Sequence, residues 1–248
     1  MPASLTLLDI FLCALAAFGA SIIGGLAGYG TGLLMPIFLV PVIGPEPVIP
    51  LIGITAMFTN GGRIAAFHKN IDWRRALRIM AAAAPFTVLG AYAYSWLSGR
   101  GVLILIGLAL LAAVPARRWL KSRDWQLSDG GLIPGGALYG LLAGGTNTSG
   151  VLLISMLMAA GMTPTAVIAT DAAISFVMGL VKSLTFTGTG ALTLPVALFA
   201  VIVGCATFPG GYVAKWLVER LSVKLHTQLL DGAVIAGAAA MLWRAWQM

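Results

Sequence analysis

The chain has 248 residues, 59% of them hydrophobic and only 9% charged, with a mean hydropathy of +0.96. Soluble domains carry roughly 25% charged residues, so this composition excludes a soluble fold and implies a chain dissolved in lipid. The excess of 15 Lys+Arg over 8 Asp+Glu does not imply nucleic acid. The cations lie in short connections between apolar runs, where they orient helices.

In chain order, the first apolar run extends from Leu5 to Ala27. It lacks a basic stretch before it and runs straight into further apolar sequence, so it is expected to be a retained helix and not a cleaved signal. Four more runs are long enough to cross a bilayer, which takes about 20 residues. They are Val48 to Phe67, Ala76 to Leu97, Thr165 to Phe186 and Leu192 to Leu217. Gly101 to Ala116 and Leu225 to Trp243 are near the minimum, whereas Gly32 to Ile43, Leu132 to Ala143 and Val151 to Ala160 are too short to cross alone. A short helix at membrane depth must be buried in protein or line a cavity, because lipid cannot satisfy its backbone ends. The predicted fold is therefore an all-α polytopic membrane protein of eight to ten segments, with short or broken helices at two glycine-rich motifs. Its two homologous halves, residues 1–124 and 125–248, are expected to be inverted repeats.

The motifs that define the halves lie about 116 residues apart. Gly24-Gly25-Leu26-Ala27-Gly28-Tyr29-Gly30-Thr31-Gly32 interrupts the first half, and Gly140-Leu141-Leu142-Ala143-Gly144-Gly145-Thr146-Asn147-Thr148-Ser149-Gly150 interrupts the second. Each is followed by a short apolar segment and then a proline, Pro47 or Pro164, before a long run. Paired interruptions in two halves of a membrane chain point to a transporter's binding site. Glycines let successive N–H groups face one concavity, and a helix starting there adds its positive end, so each break can hold an anion. Gly28, Gly30, Thr31 and Gly32 are the candidates in the first break. Gly144, Gly145, Thr146, Asn147, Thr148 and Ser149 are those in the second. The alternative is close helix packing through Gly24-x-x-x-Gly28 and Gly140-x-x-x-Gly144.

Orientation follows from three basic clusters, 68–75, 117–123 and 215–224. If each break merely bends one helix, the third cluster falls outside. If each break turns the chain back, all three fall on the cytoplasmic side, as the positive-inside rule prefers, and each half has five segments of opposite topology.

Polar residues within the long runs form two stripes. Thr55, Thr59 and Arg63 recur every four residues with Asn60 at the edge of their face, and Asp171, Ser175 and Lys182 fall within about 40° of one another on a helix. Asp171 and Lys182 stand roughly 16 Å apart along the axis, so each needs another partner, a water or a substrate. Arg63 and Lys182 either face the substrate or snorkel to an interface. Asp171 is either a proton-coupling group or a fixed counterion.

No cofactor, metal or catalytic set is expected. The only histidines are His68 and His226, without a second ligand at metal spacing, and Cys13 and Cys205 read as reduced packing residues.

The duplicated glycine-rich break and the connection His68-Lys69-Asn70-Ile71-Asp72-Trp73-Arg74 resemble the TauE/SafE sulfite exporters, also called the toluene sulfonate uptake permease family. The resemblance covers nearly the whole chain. Thr146-Asn147-Thr148-Ser149 stands where it implies a more glycine-rich run. It implies a multi-pass carrier in a prokaryotic inner membrane for sulfite or another sulfur-containing or organic anion; the expected mechanism is alternating access, with protons a candidate coupling ion through Asp171. An anion-selective channel or a structural subunit of a membrane complex is the alternative. Substrate, direction and oligomeric state are left open.

Overall fold

The structure is a computed structural model that describes residues 6–27, 30–121, 126–218 and 223–248. Among these there are ten α-helices, one 3-10 turn and no strand. The helices are α1 (Leu7–Ala27), α2 (Gly30–Ile43), α3 (Val48–Phe67), α4 (Trp73–Ser95), α5 (Gly99–Lys121), α6 (Leu132–Gly145), α7 (Gly150–Ala159), α8 (Pro164–Gly188), α9 (Leu194–Val218) and α10 (Val223–Gln247). By length and composition four described stretches can cross a membrane: Val48–Asn70, Trp73–Ser95, Gly99–Leu120 and Pro164–Gly188. Large apolar side chains on these and neighbouring helices face outward, including Leu108, Leu111, Leu184, Leu198 and Trp243. Such a surface is stable only against lipid. The chain is a multi-pass membrane protein.

Local chemistry sets most boundaries. The basic connection makes a 3-10 turn at His68–Asn70, after which the Asp72 carboxylate accepts the Arg75 N–H at 3.1 Å and caps α4. Pro164 occupies the first turn of α8, where no N–H is required. Gly44 ends α2 with a φ of +80°, a conformation that suits glycine. Helix α5 is longer than Gly101 to Ala116, because Arg117 and Arg118 continue it and both reach Asp231 on α10. Of the two cysteines read as packing residues, Cys13 is buried and Cys205 is exposed on α9; neither forms a disulfide among the described residues.

Helix α6 lies along α4 through a glycine stripe. A Cβ on Gly140 or Gly144 would sit 2.2 Å from the Ala83 or Thr87 carbonyl oxygen, and one on Gly90 would sit equally close to that of Leu141. Backbones approach this closely only where side chains are absent. Helix α7 then returns to the end where α6 began, since the Leu127 N–H donates to the Ala159 carbonyl at 2.8 Å. The second break therefore makes a helical hairpin with its tip at residues 146–149.

Helix α2 runs the other way. It starts against that tip, with Gly32 facing the Asn147 carbonyl, and ends where the Tyr94 hydroxyl donates to the Pro45 and Glu46 carbonyls at 3.2 and 3.0 Å. Tyr94 is at the end of α4 remote from Asp72. Helices α2 and α7 thus start together and diverge to opposite ends of the bundle.

The same opposition holds elsewhere. In α3 and α8, Gly53 meets Lys182 and Ser183, whereas Arg63 meets Asp171 and Ile168. In α5 and α10, Gly107 meets Leu242 and Arg117 meets Asp231. In these two pairs a helix packs antiparallel to the one five places later. The other contacts exchange in step, with α1 on α9 and α6 on α4, and α3 on α9 and α8 on α4.

Candidate functional site

Between α3 and α8, at the hairpin tip, lies a cavity of about 110 Å³. Helix α3 contributes Thr55, Thr59, Asn60 and Arg63, and α8 contributes Asp171, Ser175 and Lys182. The two polar stripes face one another because both helices turn their remaining faces to apolar neighbours. Gly32 at the start of α2, together with Asn147, Ser149 and Gly150 of the tip and first turn of α7, closes one end.

Three charges line this space. Arg63 Nη1 lies 2.9 Å from Asp171 Oδ2, with side-chain exposures of 14% and 3%. At that burial Arg63 is turned inward and does not snorkel. It also donates to Asn60 Oδ1 at 3.1 Å and to the Ile168 carbonyl at 3.3 Å. Lys182 is only 5% exposed and donates to Asn147 Oδ1 at 2.7 Å and to the Ala143 carbonyl at 3.2 Å. Both partners are neutral, and no carboxylate lies within salt-bridge distance of Lys182 among the described residues. With Arg63 balanced by Asp171, the lining carries one uncompensated positive charge. A buried charge of this kind is costly unless an opposite charge joins it.

The tip adds further donors. Ser149 precedes α7 without a side-chain cap, and Ser149 and Gly150 line the cavity, so the positive end of the helix lies beside it. An ammonium only donates, so Lys182 fixes the Asn147 amide with Oδ1 toward itself. Asn147 Nδ2 is left buried with no partner in the protein.

Other expected site residues lie elsewhere. Gly144 and Gly145 pack on α4, where a Cβ would meet the Thr87 and Gly90 carbonyls, so they serve the helix contact and do not line the cavity. The reason is the phase of α6, whose glycines at 136, 140 and 144 share one face while Tyr139 and Ala143 occupy another. Thr146 and Thr148 lie behind the tip, against Pro36 and Ile106. Their hydroxyls are 3.2 Å apart, and Thr146 donates to the Leu142 carbonyl at 2.7 Å. Gly28 lies outside the described residues, as do the surroundings of Gly30 and the Thr31 side chain.

Tyr139, Ala143 and Met178 line the cavity and were not expected there. Tyr139 is 2% exposed with its hydroxyl 3.3 Å from Ser175 Oγ. Its signal in the sequence was a lone hydroxyl within an apolar run of small residues. Thr207 of α9, whose hydroxyl accepts from Thr59 at 3.0 Å and donates to the Gly204 carbonyl at 2.7 Å, is a further polar contact of the α3 stripe that the sequence reading does not include.

A bundle of this kind, with short helices meeting head to head at a charged internal cavity, has the architecture of a membrane transporter. Residues 13–241 match the family described as Sulfite exporter TauE/SafE, and the chain belongs to that family. Its members are transporters and not enzymes. No curated protein and no solved structure matches the chain.

Proposed function

We propose that this protein is a secondary carrier that moves a small anion across a prokaryotic inner membrane by alternating access, with sulfite or another sulfur-containing or organic anion as substrate. The observation that carries the reading is Lys182, a buried ammonium held only by neutral groups beside the unguarded start of α7. An anion there would be met by a full charge, by helix N–H groups and by Asn147, and would supply the missing negative charge. Gly32, Thr55, Thr59, Asn60, Arg63, Ser149 and Ser175 would complete its surroundings. Asp171 is the fixed counterion of Arg63 in this reading, which their 2.9 Å contact supports. Residues 1–124 and 125–248 would act as inverted repeats rocking about the site, a reading supported by the antiparallel pairing of α3 with α8 and α5 with α10.

The test is uptake of radiolabelled sulfite into proteoliposomes under imposed pH gradients, with sulfate, thiosulfate, sulfoacetate and acetate as competitors. Saturable flux that competitors reduce is expected. Asp171→Asn is expected to leave the pH dependence of that flux in place; its loss would reassign Asp171 to proton coupling. An ohmic current in planar bilayers would make the protein a channel.

A further inference from the structure

The cavity has two unlike ends. Near the tip, Lys182 Nζ and the unpartnered Asn147 Nδ2 are donors. At the other end Asp171 spends Oδ2 on Arg63, and Oδ1 is buried with no hydrogen-bond partner in the protein. The Ser175 hydroxyl one turn on stands 3.3 Å from the Tyr139 hydroxyl, where either oxygen can donate, and it makes no hydrogen bond to Oδ1. A buried carboxylate oxygen without a donor is costly, and a solute that brings one removes the cost. The lining thus lacks one negative charge at one end and one hydrogen-bond donor at the other.

Resting on the anion-carrier reading above, we propose that the site selects monovalent anions that carry their own hydrogen-bond donor, with the charged group at Lys182 and the donor directed at Asp171 Oδ1. Hydroxyalkanesulfonates and the hydrogensulfite monoanion belong to this class. Fully deprotonated, acceptor-only anions such as sulfate do not, because their oxygens would face the Asp171 lone pairs and their second charge would have no partner.

The experiment compares two probes of equal charge that differ by one hydroxyl, 2-hydroxyethanesulfonate and ethanesulfonate. Binding to the purified full chain is read as ligand-dependent thermal stabilisation in detergent, and independently as inhibition of sulfite flux. The hydroxylated probe is expected to bind about tenfold more tightly, the size of one hydrogen bond to a charged acceptor. In Asp171→Asn the amide oxygen must turn to Arg63, so its NH₂ faces the cavity and the preference is expected to vanish or reverse. Equal affinity of the two probes for the wild type, with sulfite still binding, would overturn this inference and leave the carrier reading intact. If sulfite, sulfate and both sulfonates all fail to bind folded protein, the carrier reading itself falls. The comparison in the wild type stands even if the Asp171 variant does not fold.

Discussion

At the scale of single residues, the three buried charges of the cavity are not equivalent. Arg63 and Asp171 compensate one another, so removing one partner leaves the other stranded in a low-dielectric space. Arg63→Met is expected to destabilise the protein by about 3–5 kcal/mol, and the double change Arg63→Met with Asp171→Leu by clearly less than the sum of the two single changes. Thermal melting of the three variants in detergent checks this. Lys182 has no carboxylate to strand, so its removal acts on the ligand more than on the fold. Lys182→Met is expected to weaken sulfite binding by about tenfold or more while the protein still melts cooperatively. Both stripes were legible in the sequence from their helical spacing. Their partners were not, since the Arg63–Asp171 contact joins residues far apart in the chain.

At the scale of elements, α6 separates packing from function by helical phase. Its glycine face lets α4 approach, and its Tyr139–Ala143 face lines the cavity. A Cβ at Gly144 would sit 2.2 Å from the Thr87 carbonyl oxygen, so Gly144→Ala must push two backbones apart. A loss of about 1–3 kcal/mol is expected. Gly188→Ala, where a Cβ meets nothing within 4 Å, is the matched control and should leave the melting temperature unchanged or slightly raised. Gly32 is the intermediate case. A Cβ there would press on the Asn147 carbonyl at 2.7 Å, displacing the tip that holds Lys182, so Gly32→Ala should reduce sulfite flux more than stability. Two glycine motifs that look alike as text thus have different burdens, and only the phase of the helix that carries each one tells them apart.

At the scale of the whole molecule, the hairpin α6–α7 enters and leaves at the Asp72 end of α4, while α2 ends beside Tyr94. Single cysteines replacing Lys69, Ser128 and Gly161 in a background without Cys13 and Cys205 should therefore be labelled from one side of the membrane, and those replacing Ser98 and Thr189 from the other. The segment leading into α6 is fastened at the first of these ends. Asp129 meets Arg75 Nε at 3.2 Å and also pairs with Arg78, and these guanidiniums hold its carboxyl below the ordinary value of 3.8. A lowered value means that the clamp contributes fully above pH 3.8 and is lost as pH falls through the lower, folded value. Asp129→Asn should lower the melting temperature slightly near neutral pH, and the difference from wild type should close in stronger acid.

Composition, apolar run length and helical spacing by themselves determined that this chain is a polytopic helical membrane protein with two glycine-rich motifs and two polar stripes. These are local properties, set by lipid acting on each segment in turn. Tertiary structure alone decided that Arg63 belongs to Asp171, that Lys182 holds the hairpin tip, and that Gly144 packs while Gly32 faces the site. Those outcomes depend on the rotation and depth of one helix against another, which a membrane does not impose on an isolated segment and only close packing selects.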